Sequence, residues 1–191
     1  MTGRTHDAIA FASLVTVAAY FPPGDLNMTT IFAAVVANVV GALVPDMDQA
    51  TNRLWDLLPG GDWLGKVFKN IFLGHRSITH SLLGAFLFYH ISFWLFHRIF
   101  NPIYVNADVV FWASFVGYVS HLLADSMTKD GLPLFFPLEI KVGVPPVSFL
   151  RITTGSWMER FVVLPAVGVY IFWFIGRSQS QLLYVVRLLS G

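Results

Sequence analysis

The chain contains no cysteine, which removes disulfides, thiolate metal ligands and cysteine nucleophiles together. Any metal must therefore be held by histidine and carboxylate. Charge is scarce too: 12% of the 191 residues are Asp, Glu, Lys or Arg, against roughly 25% in an ordinary soluble domain. That is too little to cover a water-facing surface. A net charge of +1 supplies no broad basic field, and basic residues are not interleaved with aromatics in the manner of single-strand binders, so nucleic acid has no support as a partner. The patterns G-x-S-x-G and H-E-x-x-H are both missing, which argues against a serine hydrolase and a zinc protease. There is no internal repeat and no low-complexity tract.

What the chain has in abundance is apolar sequence: 55% hydrophobic and 16% aromatic residues, with a mean hydropathy of +0.65. Five runs, at 6–21, 29–44, 78–100, 107–124 and 160–176, approach the roughly 17 to 25 residues that cross a bilayer as helix. The pattern predicts an all-α, polytopic membrane helix bundle of about five transmembrane helices, folded as one domain over 1–191. A cleaved leader is the rival reading of the first run, since Arg4 precedes it and Ala18 and Ala19 follow. His6 and Asp7 would be unusual in a discarded leader.

Lys and Arg set the expected orientation. If the amino terminus and the loops 45–77 and 125–159 share a face, that face holds Arg4, Arg53, Lys66, Lys69, Arg76, Lys129, Lys141, Arg151 and, at the boundary, Arg160. Only Arg98, Arg177 and Arg187 remain for the other. The expectation is a multi-pass protein of the cell's inner (cytoplasmic) membrane with its amino terminus and long loops cytoplasmic. Asn27 or Thr29 is placed to cap the second helix, and Pro45 to stop it. Trp55, Trp63, Lys66 and Lys69 in 52–72 suit short interfacial helices or packing over the helix ends. In 127–157, the stretches 139–144 and 147–152 have strand character that would allow a small hairpin. No small-residue motif argues for a dimer.

Polar residues capable of chemistry gather where the apolar runs end. Residues 75–81 read HRSITHS at the start of the third, and 117–125 read GYVSHLLAD at the close of the fourth. His6 opens the first run, and Asp46 and Asp48 follow the second. Tracing the chain back and forth brings all four helix ends to one membrane face. A carboxylate inside lipid costs about 2.5 to 3.5 kcal/mol and is usually kept for function. His121 and Asp125 are four apart and share a helical face, so they suit one ion or a bridge between two. Of Asp46 and Asp48, one can meet a metal while the other orients a histidine. His75 and His80, five apart, fit a common site if His75 lies in the entering loop.

Imidazole and carboxylate suit zinc, manganese or iron, and magnesium where carboxylates dominate. The donors suffice for one divalent ion and make two plausible; a binuclear site activates water and clamps phosphoryl oxygens, which makes phosphoester hydrolysis the natural chemistry. Asp48 or His75 would handle a proton, and Arg76 would either clamp a substrate phosphate or anchor to the interface. Singly, each of these residues has a structural explanation, as a cap, a solvated carboxylate or a polar starter. His90 and His97 lie too far along the third helix to join the ligands. Asp7 and Asp108 are weaker candidates, while Thr79, Ser81, Ser120, Ser126 and Thr128 could support ligands by hydrogen bonds.

At these residues the chain resembles the YdjM family of membrane-bound metal-dependent hydrolases. The resemblance covers most of 3–137, through GRTHDAIAFA near the start, GALVPDMD, HRSITHSLLG and GYVSHLLADSMTKDGLPLFFP. The family looks distantly related to zinc-dependent phospholipase C. That resemblance implies metal ligands His6, Asp46, His80, His121 and Asp125, with His75 and Asp48 as further ligands or close partners, and zinc as the metal. The soluble enzymes also use the amino-terminal nitrogen and additional histidines, for which the sequence offers no clear equivalents, so a full three-zinc site is not expected. The expected substrate is a phosphoester, with a membrane lipid as the candidate. A metal-ion transporter and a non-catalytic metal-binding scaffold are the alternatives; a transporter should carry ligands at mid-membrane, where only His90 qualifies.

Overall fold

The structure is a computed structural model that describes residues 1–24, 26–47, 53–56, 61, 63, 65–66, 78–138 and 140–189. Among them lie seven α-helices: α1 (Gly3–Tyr20), α2 (Met28–Leu43), α3 (Arg53–Asp56), α4 (Leu82–Ile99), α5 (Ala107–Ser126), α6 (Leu164–Arg177) and α7 (Gln179–Arg187). Four segments are long and apolar enough to cross a membrane: Met28–Asp46, Leu82–Ile99, Ala107–Ser126 and Glu159–Arg177. The first expected span forms α1, of comparable length, but Arg4, His6 and Asp7 in its first turns leave it short of a span's composition. Among the described residues there are thus five long helices, four of them with the character of a crossing.

Capping sets where these helices begin. Asn27 Oδ1 accepts from Thr30 N at 2.7 Å, Ser81 Oγ from Gly84 N at 3.1 Å, and Asn106 Oδ1 from Asp108 N and Val109 N, each satisfying an otherwise orphaned donor. At the far end of α2, Pro45 sits in a 3-10 turn, Val44–Asp46, that turns the chain and presents Asp46.

Helices α2 and α5 form the centre, with 44% and 56% of their spans buried, against 11% for α4 and 11% for the last span. The periphery is apolar and exposed, with Phe86, Ile91, Trp94, Phe172 and Trp173 facing outward, as a lipid-facing surface requires. Lipid tails give helices no hydrophobic reason to associate, so close packing of small residues must hold α2 on α5. Ala37, Gly41, Ala113 and Gly117 supply it. A Cβ on Gly41 would stand 2.0 Å from Ser114 O, and one on Gly117 2.1 Å from Asn38 O. Asn38 crosses the same seam, donating through Nδ2 to Ala113 O at 3.0 Å.

The loop after α5 does not form the expected hairpin. Among its described residues there are only two single bridges, antiparallel between Leu132 and Val142 and parallel between Thr128 and Ile152, while 148–150 make a 3-10 turn. Prolines 133, 137, 145 and 146 have no N–H to give a ladder. Arg151 organises the loop instead, its buried guanidinium donating to the carbonyls of Pro145 (2.7 Å), Pro146 (2.8 Å) and Gly143 (3.3 Å). The loop folds under the bundle: Leu132 packs with Tyr118 and Leu122, and Leu134 O accepts from Leu82 N at 2.9 Å. The last span enters through a π-helical turn, Glu159–Val163, and the tail closes as α7.

Candidate metal centre

Helix directions put four ends together. α1 and α4 begin, and α2 and α5 finish, at one end of the bundle, where His6, Asp46, His80, His121 and Asp125 converge. Four of the five are essentially buried, His6 at 3% exposure, His80 at 0%, His121 at 1% and Asp125 at 1%; Asp46 is partly open at 26%.

His80 Nε2 lies 3.5 Å from Asp46 Oδ1 and 3.7 Å from Asp125 Oδ2, while His121 Nε2 lies 3.8 Å from Asp46 Oδ2 and 3.9 Å from Asp125 Oδ2. His6 Nε2 is 3.2 Å from Asp125 Oδ1, and its ring stacks on His121. Two groups of donors emerge, His6 with His121 and Asp125, and Asp46 with His80 and His121, each with ligand atoms within 4.8 Å of one another. Donors about 2.0 to 2.1 Å from a tetrahedral ion stand about 3.3 Å apart. The observed separations are close to that edge. Asp125 turns Oδ1 toward His6 and Oδ2 toward His80 and His121, the posture of a carboxylate that can serve both groups.

Protonation of one ligand is set by its neighbour. His121 Nδ1 is 2.7 Å from Ala42 O, and a carbonyl only accepts, so Nδ1 carries the proton and Nε2 presents a lone pair. That Nε2 is buried without a hydrogen-bond partner among the described residues, as are both ring nitrogens of His6. An unsatisfied buried polar atom costs roughly 1 to 3 kcal/mol. A cation bound between the rings and carboxylates would repay those atoms, so the donor set and its geometry fit a divalent metal. Thr79 supports His80, its Oγ1 lying 3.2 Å from Nδ1, and Tyr118 donates its hydroxyl to Thr79 O.

The other supporting hydroxyls do something else. Ser81 caps α4, while Ser120, Ser126 and Thr128 donate to the carbonyls of Gly117, Leu123 and Asp125, so none of these touches a ligand side chain. His90 lies exposed on α4 against Phe86 and Tyr89, and His97 bonds Asp108 at 3.1 Å at the opposite end of the bundle. Asp7 pairs with Arg53 at 2.5 Å. Asp48, His75 and Arg76, expected in catalysis, lie outside the described residues.

Sequence reasoning missed Glu159. Its carboxylate is fully buried and accepts from Thr2 N (2.6 Å), Thr2 Oγ1 (2.8 Å) and Gly155 N (2.6 Å), which fixes the start of α1 and thereby His6. Its place at the mouth of an apolar span is equally that of a solvated carboxylate, so the sequence alone does not single it out. The Met1 amino group also lies in the site, hydrogen-bonded to Asp125 Oδ1, so an amino-terminal nitrogen does stand beside the donors, against the expectation that the chain has no equivalent. A separate apolar recess of about 830 Å³ between α1, α2, α5 and α7, lined by Phe11, Leu14, Trp112 and Leu182, lies toward the other end and contains none of the five ligands.

Fold and site together define a polytopic helical membrane protein with a buried His/Asp centre able to hold metal. Its sequence matches the family described as YdjM inner membrane protein over residues 1–189, and the chain belongs to that family. The match includes the last span and the tail. The chain is 32% identical to an uncharacterised protein, YvsG, of Bacillus subtilis over 177 residues, covering 92% of this chain and 96% of that one. It is also 32% identical to the inner membrane protein YdjM of Escherichia coli over 135 residues, 71% of this chain and 63% of that protein's length, with the same figures for YdjM of Shigella flexneri. No solved structure matches the chain.

Proposed function

We propose that the protein is a metal-dependent hydrolase of the inner membrane that cleaves a phosphoester at the level of the lipid headgroups. One observation carries the reading: His6, Asp46, His80, His121 and Asp125, drawn from four helix ends, form two overlapping donor groups in which both ring nitrogens of His6 and Nε2 of His121 are buried without a hydrogen-bond partner among the described residues. Zinc is the preferred ion for such nitrogen and oxygen donors, and Asp125, with one oxygen toward His6 and the other toward His80 and His121, leaves room for a second ion, with manganese and magnesium as alternatives. Divalent metal supplies Lewis acidity toward phosphoryl oxygens and brings the pKa of a bound water to about 7.

The chain's own residues would do the rest. The Ala42 carbonyl holds His121 in the tautomer that leaves Nε2 free to ligate. Asp46, the most open of the five, marks the mouth through which substrate and water reach the centre. Asp48 and His75 are the candidates for handling a proton, and Arg76 for holding phosphate; all three are neighbours in sequence of Asp46 or His80. The distribution of Lys and Arg supports a cytoplasmic placement of this end. A lipid phosphoester is the favoured substrate because the ligands cluster at helix ends, where an apolar span meets polar loop.

The test is hydrolysis of a panel of phospholipids and nucleotides by the purified protein and by His121→Ala. Turnover dependent on added zinc and lost in the variant is expected. Equal turnover in both would reject the mechanism, and stoichiometric metal without turnover on any panel member would favour a scaffold or transporter.

A further inference from the structure

Next to the ligands, and outside them, lies a polar recess of about 960 Å³ lined by Arg4, Arg53 and Arg160 with Thr2, Thr5 and Asp7. Three segments distant in sequence supply its guanidinium groups: the first turn of α1, the short helix α3 and the π-helical turn that opens the last span. Asp7 is the one carboxylate among the lining residues, and it is engaged by Arg53 at 2.5 Å. Arg4 and Arg160 are exposed and form no ion pair with any described residue. Glu159 lies beneath, but its oxygens are taken by Thr2 and Gly155. The recess is therefore a concave site with a surplus of positive charge.

A second feature points the same way. The amino end of the 18-residue helix α1 opens into the recess without a side-chain cap from Thr2, so its backbone N–H groups stand beside the arginines, with the Glu159 carboxylate on Thr2 N offsetting part of the helix dipole there. His6 stands between Thr5 and Asp7 on the same turn, so the recess and the candidate metal centre share a wall. Planar guanidinium groups suit the oxygens of phosphate in paired hydrogen bonds.

We infer that Arg4, Arg53 and Arg160 form a phosphate-binding subsite beside the metal centre, and that the substrate is an anionic phosphoester whose phosphate-bearing group they hold. This inference rests on the hydrolase reading for its word substrate, while binding of phosphate can be read alone.

The experiment uses the full chain in maltoside detergent, stripped of metal by chelator, titrated calorimetrically with inorganic phosphate and, in parallel, with dihexanoyl phosphatidic acid. One site per chain is expected. Arg4→Gln and Arg160→Gln should each weaken it about tenfold, the scale of one charge-assisted contact, and Arg160→Lys should recover part of the loss. Phosphatidic acid binding more tightly than phosphate assigns the subsite to a lipid headgroup; equal affinities assign it to a soluble phosphoester. No binding by the wild type, or wild-type affinity in a variant carrying both Arg4→Gln and Arg160→Gln, overturns the inference. Zinc stoichiometry, measured separately by equilibrium dialysis, should be unchanged in the arginine variants. Failure of the wild type to take up zinc would remove the hydrolase reading and leave the phosphate subsite to stand on the titrations.

Discussion

The rings of His6 and His121 stack with centroids 3.8 Å apart and planes 6° from parallel, joining the first turn of α1 to the last turns of α5. Neither Nε2 has a hydrogen-bond partner among the described residues. Two imidazoles so placed gain little from each other and much from a cation beside them.

Removal of metal should therefore destabilise the protein. A ligand at 100 times its Kd stabilises by about 2.7 kcal/mol, and in a chain of this size each kcal/mol moves Tm by roughly 2 to 4 °C. Chelator should lower Tm by about 5 to 10 °C, and added zinc should restore it. In His121→Ala the chelator should have no effect, because both donor groups lose a member. Identical melting curves for the wild type with and without chelator would exclude a structural cation.

Glu159→Gln should loosen the start of α1. The amide keeps one oxygen acceptor but turns an NH₂ toward backbone donors, and the loss of charge-assisted bonds to Thr2 and Gly155 costs about 1 to 3 kcal/mol. The readouts are a Tm lower by about 2 to 10 °C and a reduced zinc stoichiometry, since His6 follows Thr2 by one turn. A variant with wild-type Tm and zinc content would show that Glu159 is not what holds His6.

Gly117→Ala should be more damaging than its size suggests. Its Cβ would meet Asn38 O at 2.1 Å on a backbone that cannot swing aside, an overpacking that costs typically 1 to 3 kcal/mol. Gly168→Ala is the control: it lies in α6 with nothing within 4 Å, and there alanine should be neutral or stabilising by up to about 1 kcal/mol through helix propensity. Comparable thermal stability of the two variants would contradict the packing described for α2 and α5.

The absence of cysteine allows orientation to be read cleanly. A single cysteine replacing Thr153, in the loop at the metal-centre end, should react with an impermeant maleimide only after cells are opened. One replacing Ile103, in the turn at the other end, should react in intact cells. The reverse pattern would place the metal centre outside.

Part of this architecture can be read directly from the chain. His and Asp at the ends of apolar runs are expensive unless used, and the four-residue step from His121 to Asp125 already implies a shared face. Asn27 as cap and Pro45 as stop are local effects and need no tertiary knowledge. Glu159 was hidden for the opposite reason: its partner, Thr2, lies 157 positions away, and nothing local in WMER distinguishes a buried anchor from a solvated carboxylate. In the loop after α5 the β-branched residues allow a small hairpin, but Arg151 gathers the carbonyls of Gly143, Pro145 and Pro146 and the loop folds around it instead. The arginine recess could not be anticipated either, since Arg4, Arg53 and Arg160 meet only after α1, α3 and the last span have packed.

His121 counts in both donor groups. Its Nδ1 is committed to Ala42 O, so Nε2, the one lone pair it offers, can complete only one of the two groups at a time. Filling one group then weakens the other, and metal titrations should show a first ion held tightly and any second one held more weakly, where two independent pockets of like donors would fill together.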